Sequence, residues 1–269
     1  MLDEYCRLVD NGQIQVDSTK AGSRYMLQTI NLLECNLDLN QIKKVIISIK
    51  NDHPEYFWLG NNYSGHRTGD GKMQTFVMEV VPQFNTRQKR AKMKEKLNKA
   101  INEFLKDIPR GNDYETELAI HDKIIKETVY DYNAKNSNLT DSINDHNIAG
   151  VFIDHVTVCE GYAKAFQLLL NACGIENVYV QGRGNGGSHA WNQVCIDNKY
   201  YNVDVTWDDL EGIPFDGISY NYLNVEDVYF NKSHTASTPR SGQYLYNIKT
   251  CTSNDYTYLY NNANQYLNS

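Results

Sequence analysis

The sequence predicts an α+β fold in which an apolar helix packs against an antiparallel sheet, with an N-terminal α/β supporting region before it. Three observations carry this. Tyr162, Ala163, Phe166, Leu169, Leu170 and Cys173 recur at helical spacing and stop at Gly174. Ser188 to Ile196 (SHAWNQVCI) and Lys199 to Trp207 (KYYNVDVTW) read as two strands. Between them stands Asp197-Asn198, a pair that tolerates positive φ and suits a two-residue hairpin turn.

The chain has 269 residues, 41% apolar and 22% charged, which is enough for one large or two modest domains. The expected division is residues 1–110 as the supporting region, 111–235 as the core and 236–269 as a Tyr-rich extension. In the first region Ile42, Val45, Ile46 and Ile49 fall at helical spacing up to Pro54. Tyr56-Phe57-Trp58-Leu59 forms an apolar cluster, Gly60 to Gly71 reads as loop and Lys72 to Val81 as a strand. Thr86 is placed to cap a long helix with a stripe of Met93, Leu97, Ile101, Phe104 and Leu105. Asp113 is placed to cap the next, which carries Leu118, His121, Ile124, Ile125 and Val129; His121 on that stripe reads as a satisfied core histidine. Asn133 to Asn147 is polar and reads as a surface connection.

The net charge of −7 argues against binding nucleic acid through phosphates, and the basic run Arg87 to Lys99 reads as a solvated helix face. Six scattered cysteines form neither a disulfide framework nor a CxxC pair, so no zinc or other metal site and no cofactor is expected. No apolar run is long enough to span a membrane, and no signal peptide is legible at the N-terminus. A removed signal would leave the same sequence, so a secreted or cell-surface location stays open.

Thr157-Val158-Cys159-Glu160 fits a capping box, which puts Cys159 in a first helical turn. There the unpaired amides and the helix dipole favour a thiolate and can hold an oxyanion. Gly161 reads as space beside the sulfur. The alternative is a small buried core cysteine, the reading given to Cys173 at the opposite end of the same helix. With a two-residue turn, Trp191 faces Asp204 and His189 lies diagonally on the same face, within reach of Asp204. A three-residue turn would separate His189 and Asp204 onto opposite faces. Asp204 can then fix the imidazole tautomer. Asn192 points to the other face, and Trp207 with Asp208 closes the edge. Gly182 to Gly187 matches GxGxxG by spacing but opens a strand, so it reads as a flexible lip rather than a dinucleotide loop. Asp208, Asp209 and Glu211 lack EF-hand spacing and read as a solvated acidic turn.

Together VCEGYAKAFQLLLNACGI, SHAWNQV and YYNVDVTWDD resemble the bacterial transglutaminase-like superfamily, related in fold to papain-type peptidases. Family motifs C-x-G-Y-A, H-A-W-N and D-x-T-W fall at Cys159–Ala163, His189–Asn192 and Asp204–Trp207. The resemblance implies Cys159 as nucleophile, His189 as base and Asp204 as its orienter. It also implies a second oxyanion donor upstream of the cysteine, for which Asn147 and His146 are candidates by position, with Trp191 and Trp207 as walls. The implied reaction is acyl transfer from a protein or peptide Gln donor, through a thioester, to a Lys or small-amine acceptor; water in place of the amine gives deamidation. A cysteine peptidase of the same fold and a non-catalytic interaction module are the alternatives. The Tyr-rich tail, Gly242 to Tyr266, reads as an added strand pair or an aromatic surface.

Overall fold

The computed structural model describes residues 2–14, 17–134, 143–210, 217–237 and 248–258. The chain forms two compact units, the first built on Met1–Lys99 and the second beginning at Ala100.

Elements in the first part of the chain are α1 (Leu2–Asp10), β1 (Thr19–Ala21), β2 (Arg24–Met26), β3 (Ile30–Asn31), α2 (Leu39–Asp52), β4 (Leu59–Ser64), β5 (Thr75–Val80) and α3 (Arg87–Lys106). Asp38 starts α2 with a capping box: its carboxylate accepts from Gln41 N, and the Gln41 side chain accepts from Asp38 N. Ile42, Ile46 and Ile49 form the buried stripe of α2. In β5, Phe76, Met78 and Val80 alternate inward, and β2, β3 and β4 all pair with it antiparallel. The loop expected from Gly60 therefore begins as strand β4. Its polar GNNYS run lacks apolar alternation, and pairing with β5, rather than side-chain pattern, makes it a strand. The strand expected over Lys72 to Val81 shortens to β5.

The second unit contains α4 (Asp113–Glu127), β6 (Val129–Tyr130), β7 (Val156–Thr157), α5 (Cys159–Cys173), β8 (Asn177–Gly184), β9 (Gly187–Ile196), β10 (Lys199–Val203), α6 (Val205–Asp208), α7 (Asp227–Phe230) and β11 (His234–Ala236). Asn112 rather than Asp113 caps α4, its side chain accepting from Glu115 N at 2.8 Å. The stripe of α4 includes Glu117, His121, Ile120, Ile124 and Ile125, whereas Val129 is exposed on β6. β10, β9, β8 and β11 lie in that order in one antiparallel sheet, and α5 packs on β8 and β9. Buried Tyr162, Ala163, Phe166, Leu169 and Leu170 supply the helix side of this core and Tyr179, Ala190 and Val194 the sheet side, while Val180 and Trp191 pack on the other face with Val225 and Phe230. Each such aliphatic or aromatic side chain contributes roughly 1.5–3 kcal/mol.

Two tight turns set the registers. Asp197 and Asn198 have φ of 49° and 61°, so Ile196 pairs with Lys199 and the ladder runs to Asn192 opposite Val203. Asn185 and Gly186, at 47° and 83°, make a second two-residue turn, with Gly184 opposite Gly187. The expected lip over Gly182–Gly187 is therefore a paired hairpin, because backbone hydrogen bonds hold glycines that have no side-chain pattern. The strand expected to reach Trp207 ends at Val203, because Asp204 turns the chain into α6. Cys173 is half-buried rather than core, near the Gly174 cap whose φ is 79°. Asp145 and Asn147 are buried, so the end of the expected surface connection is not surface. Most of the Tyr-rich tail lies outside the described residues.

Candidate active site

β7 leads into α5 and delivers Cys159, half-buried, at the helix's first residue. The expected capping box is absent: Val158 is the N-cap and no side chain caps it. Thr157 instead donates its hydroxyl to Asp145 O at 2.6 Å, tying β7 to the preceding turn. Glu160 binds His146 at 3.0 Å and Lys164 at 2.6 Å. Burial would raise the Glu160 pKa, but Lys164 and His146 hold it well below the ordinary carboxylate range. Gly161 N and Tyr162 N bond Val158 O at 2.9 and 3.2 Å, which leaves the Cys159 and Glu160 amides as the helix start's unbonded donors at the sulfur's end of α5 among the described residues. Gly161 makes room for Thr157, not for the thiol, since a Cβ there would collide with the Thr157 hydroxyl.

β9 presents His189, and the start of α6 presents Asp204. His189 Nε2 donates to Asp204 Oδ2 at 2.6 Å. This fixes the tautomer and leaves Nδ1 outside the carboxylate contact, with the Cys159 thiol close enough to the same imidazole to favour its charged form. Burial opposes the imidazolium; Asp204 and then Cys159 outweigh it and raise the His189 pKa to about 10. The other Asp204 oxygen accepts from the amides of Thr206 and Trp207 at 3.1 and 3.2 Å. One carboxylate therefore caps α6 and orients His189.

Sequence reasoning missed a third partner. His234 on β11 is fully buried and donates Nε2–H to Asp204 Oδ2 at 2.9 Å, while Ser233 Oγ faces its Nδ1 at 2.9 Å. Phe230 stacks on it at 3.9 Å, and Trp207 packs against it at 4.2 Å with its ring tilted by 52°. The only sequence signal was a histidine shortly after an apolar helix, which carries no spacing rule toward His189. Complete burial would raise the Asp204 pKa, and the two histidines lower it. His189, Asp204 and His234 bring donor atoms within 4.8 Å of one another, as a metal site would. Both imidazole contacts have hydrogen-bond lengths and share one oxygen, so a hydrogen-bonded trio describes them.

Trp207 lies 5.3 Å and Trp191 6.1 Å from the His189 ring, so both wall it. His146 is engaged by Glu160, and Asn147 Oδ1 accepts from Ala149 N at 2.8 Å. Asn192 is buried and donates to Ala163 O at 3.1 Å, joining β9 to α5. The acidic turn is not solvated: Asp208 is fully buried against His121 at 3.3 Å, and Asp209 accepts from Tyr162 at 2.6 Å. These side chains hold α6 against α4 and α5; Glu211 lies outside the described residues. His121 is a satisfied core histidine between Asp122 and Asp208.

A helix packed on an antiparallel sheet, with Cys159 at the helix start and His189 and Asp204 at the sheet, makes an α+β, papain-like core. Residues 102–205 match the model of the Transglutaminase-like superfamily, and the second unit carries a domain of that superfamily, whose members are generally enzymes. No curated protein matches the chain. Among solved structures, it is similar to one described as a TGase, at 15% identity and TM-score 0.41 over 77% of this chain and 59% of that one. It is also similar to one described as a "Putative Cysteine Protease" from Cytophaga hutchinsonii, at 15% identity and TM-score 0.33 over 72% of this chain and 70% of that one. The chain thus spans less than two thirds of the TGase's length. Among the described residues no helix is long and apolar enough to cross a membrane.

Proposed function

We propose that the second unit is a thiol acyltransferase that attacks amide carbonyls, with Cys159 as nucleophile, His189 as base and acid, and Asp204 as orienter. The observation that carries this is the His189 imidazole held between the Asp204 carboxylate at 2.6 Å and the Cys159 thiol. Such an imidazole takes the thiol proton, and the resulting thiolate adds to the carbonyl carbon. The imidazolium then protonates the departing nitrogen, leaving a thioester. A Gln side chain as donor releases ammonia, and a Lys or small amine resolves the thioester by forming a new amide. Water in its place makes the reaction a deamidation. The transfer reading is preferred to peptide hydrolysis because the domain is transglutaminase-like.

The test is amine incorporation into a Gln-containing peptide, run beside cleavage of the same peptide, with the wild-type protein and Cys159→Ala. Incorporation in the wild type alone is expected, with a loss of about 10⁴-fold or more in the variant. Cleavage without incorporation would move the assignment to a peptidase. Neither activity, with Cys159 alkylating only in the range of a free thiol, would leave a non-catalytic module.

A further inference from the structure

We propose that the Tyr130 hydroxyl is the side-chain donor that, with the unbonded Cys159 and Glu160 amides at the start of α5, holds the oxyanion formed when Cys159 adds to a carbonyl. The proposal rests on Cys159 being the nucleophile. β6 runs parallel to β7 with Tyr130 opposite Thr157, and Thr157 stands two residues before Cys159. Two backbone bonds lock that register, Val129 N to His155 O and Asp131 N to Thr157 O, each 2.9 Å. The Tyr130 ring stacks toward Tyr162 at 6.4 Å, and Tyr162 follows Cys159 by one helical turn. The two hydroxyls differ in their engagements. Tyr162 donates to Thr128 O and Asp209, whereas Tyr130 has no hydrogen-bond partner for its hydroxyl among the described residues.

Electrostatics agree with this position. Burial first, then the charges of Cys159, Tyr132, Asp204 and Asp131, raise the Tyr130 pKa to about 12. The hydroxyl is near enough to feel both the thiol and the orienting carboxylate, and it keeps its proton throughout the working range. It is therefore a donor and not a base. In the step concerned, the thiolate pair forms the C–S bond and the carbonyl π pair moves to oxygen. Tyr130 O–H shares its hydrogen with that oxygen without transferring it. When the intermediate collapses, the pair returns, the bond to the leaving group breaks, and the His189 imidazolium supplies the proton an amine leaving group needs.

Two small probes on the full chain test this without knowledge of the natural donor. p-Nitrophenyl acetate acylates a thiol through a tetrahedral oxyanion; iodoacetamide alkylates it at saturated carbon, where none forms. In Tyr130→Phe the rate of Cys159 acetylation should fall by about 10²-fold or more, with the alkylation rate unchanged. Phe keeps the ring and its stacking, and the alkylation rate reports that the site remains assembled. Equal falls in both rates would make Tyr130 a support for the thiol and overturn the proposal, as would no fall in either. A wild-type Cys159 that reacts with neither probe below the range of a free thiol would instead remove the nucleophile reading itself.

Discussion

Four donors converge on the Asp204 carboxylate: the His189 and His234 imidazoles on one oxygen, and the Thr206 and Trp207 amides on the other. An ionised group without exposure needs this many, because each unmet acceptor in the interior costs about 1–3 kcal/mol. His234 competes with His189 for Oδ2, and its effect has a definite sign. A donor that favours the less protonated state of the Asp204–His189 pair lowers the pair's apparent pKa values. In His234→Leu both values should therefore rise, the His189 titration moving upward from about 10 by roughly one unit. His234→Gln, which keeps an N–H, should restore it. Ring-carbon NMR of His189 against pH measures this, and identical titrations in wild type and His234→Leu would refute the competition. The linked stability follows the raised His189 pKa: the pairing stabilises the fold fully below the free-imidazole value of 6.5 and ceases to as pH climbs through about 10.

At the scale of the element, α5 is placed by its first turn. Thr157 reaches back to Asp145 O, and Gly161 leaves that hydroxyl its room. Gly161→Ala would add helix propensity worth about 1 kcal/mol. Against that gain, the new methyl would collide with the Thr157 hydroxyl and break a buried hydrogen bond, so the net effect should be a loss of roughly 1–3 kcal/mol, read as a lower denaturation midpoint. A midpoint at or above wild type would show that β7 can shift without cost. The same elements show why the capping box misled. Thr-x-x-Glu is a local signal, but both side chains found stronger partners, the Asp145 carbonyl and the Lys164–His146 pair. The helix nevertheless starts at Cys159, since the chain must leave β7 there.

Across the second unit, α4 carries a titratable carboxyl into the core. Glu117 is fully buried, accepts from Asn224 at 2.6 Å, and has its pKa raised by burial to about 8. A carboxyl raised from its ordinary 4.5 contributes stability in full below that value and loses it as pH rises through about 8. Glu117→Gln keeps an acceptor for Asn224 and cannot ionise. Its Tm should exceed wild type at pH 8 by roughly 3 °C or more and match it near pH 4.5. Equal Tm differences at both pH values would show that Glu117 does not titrate across folding.

Much of the core was readable from short-range chemistry. The helix over Cys159 to Cys173 follows from apolar spacing and a glycine stop. The His189–Asp204 approach follows from Asp197-Asn198, since a two-residue turn with positive φ leaves one register for the ladder. Asp204 escaped its expected strand, because capping α6 satisfied two amides that continued pairing would have left elsewhere. The partners Tyr130 and His234 belong to a different kind of information. Each reaches the site on a two- or three-residue strand, β6 on β7 and β11 on β8, too short to announce itself by alternation. Their positions arise when distant segments close on one another, and that closure is driven by burial summed over the whole unit, which no local pattern of residues encodes.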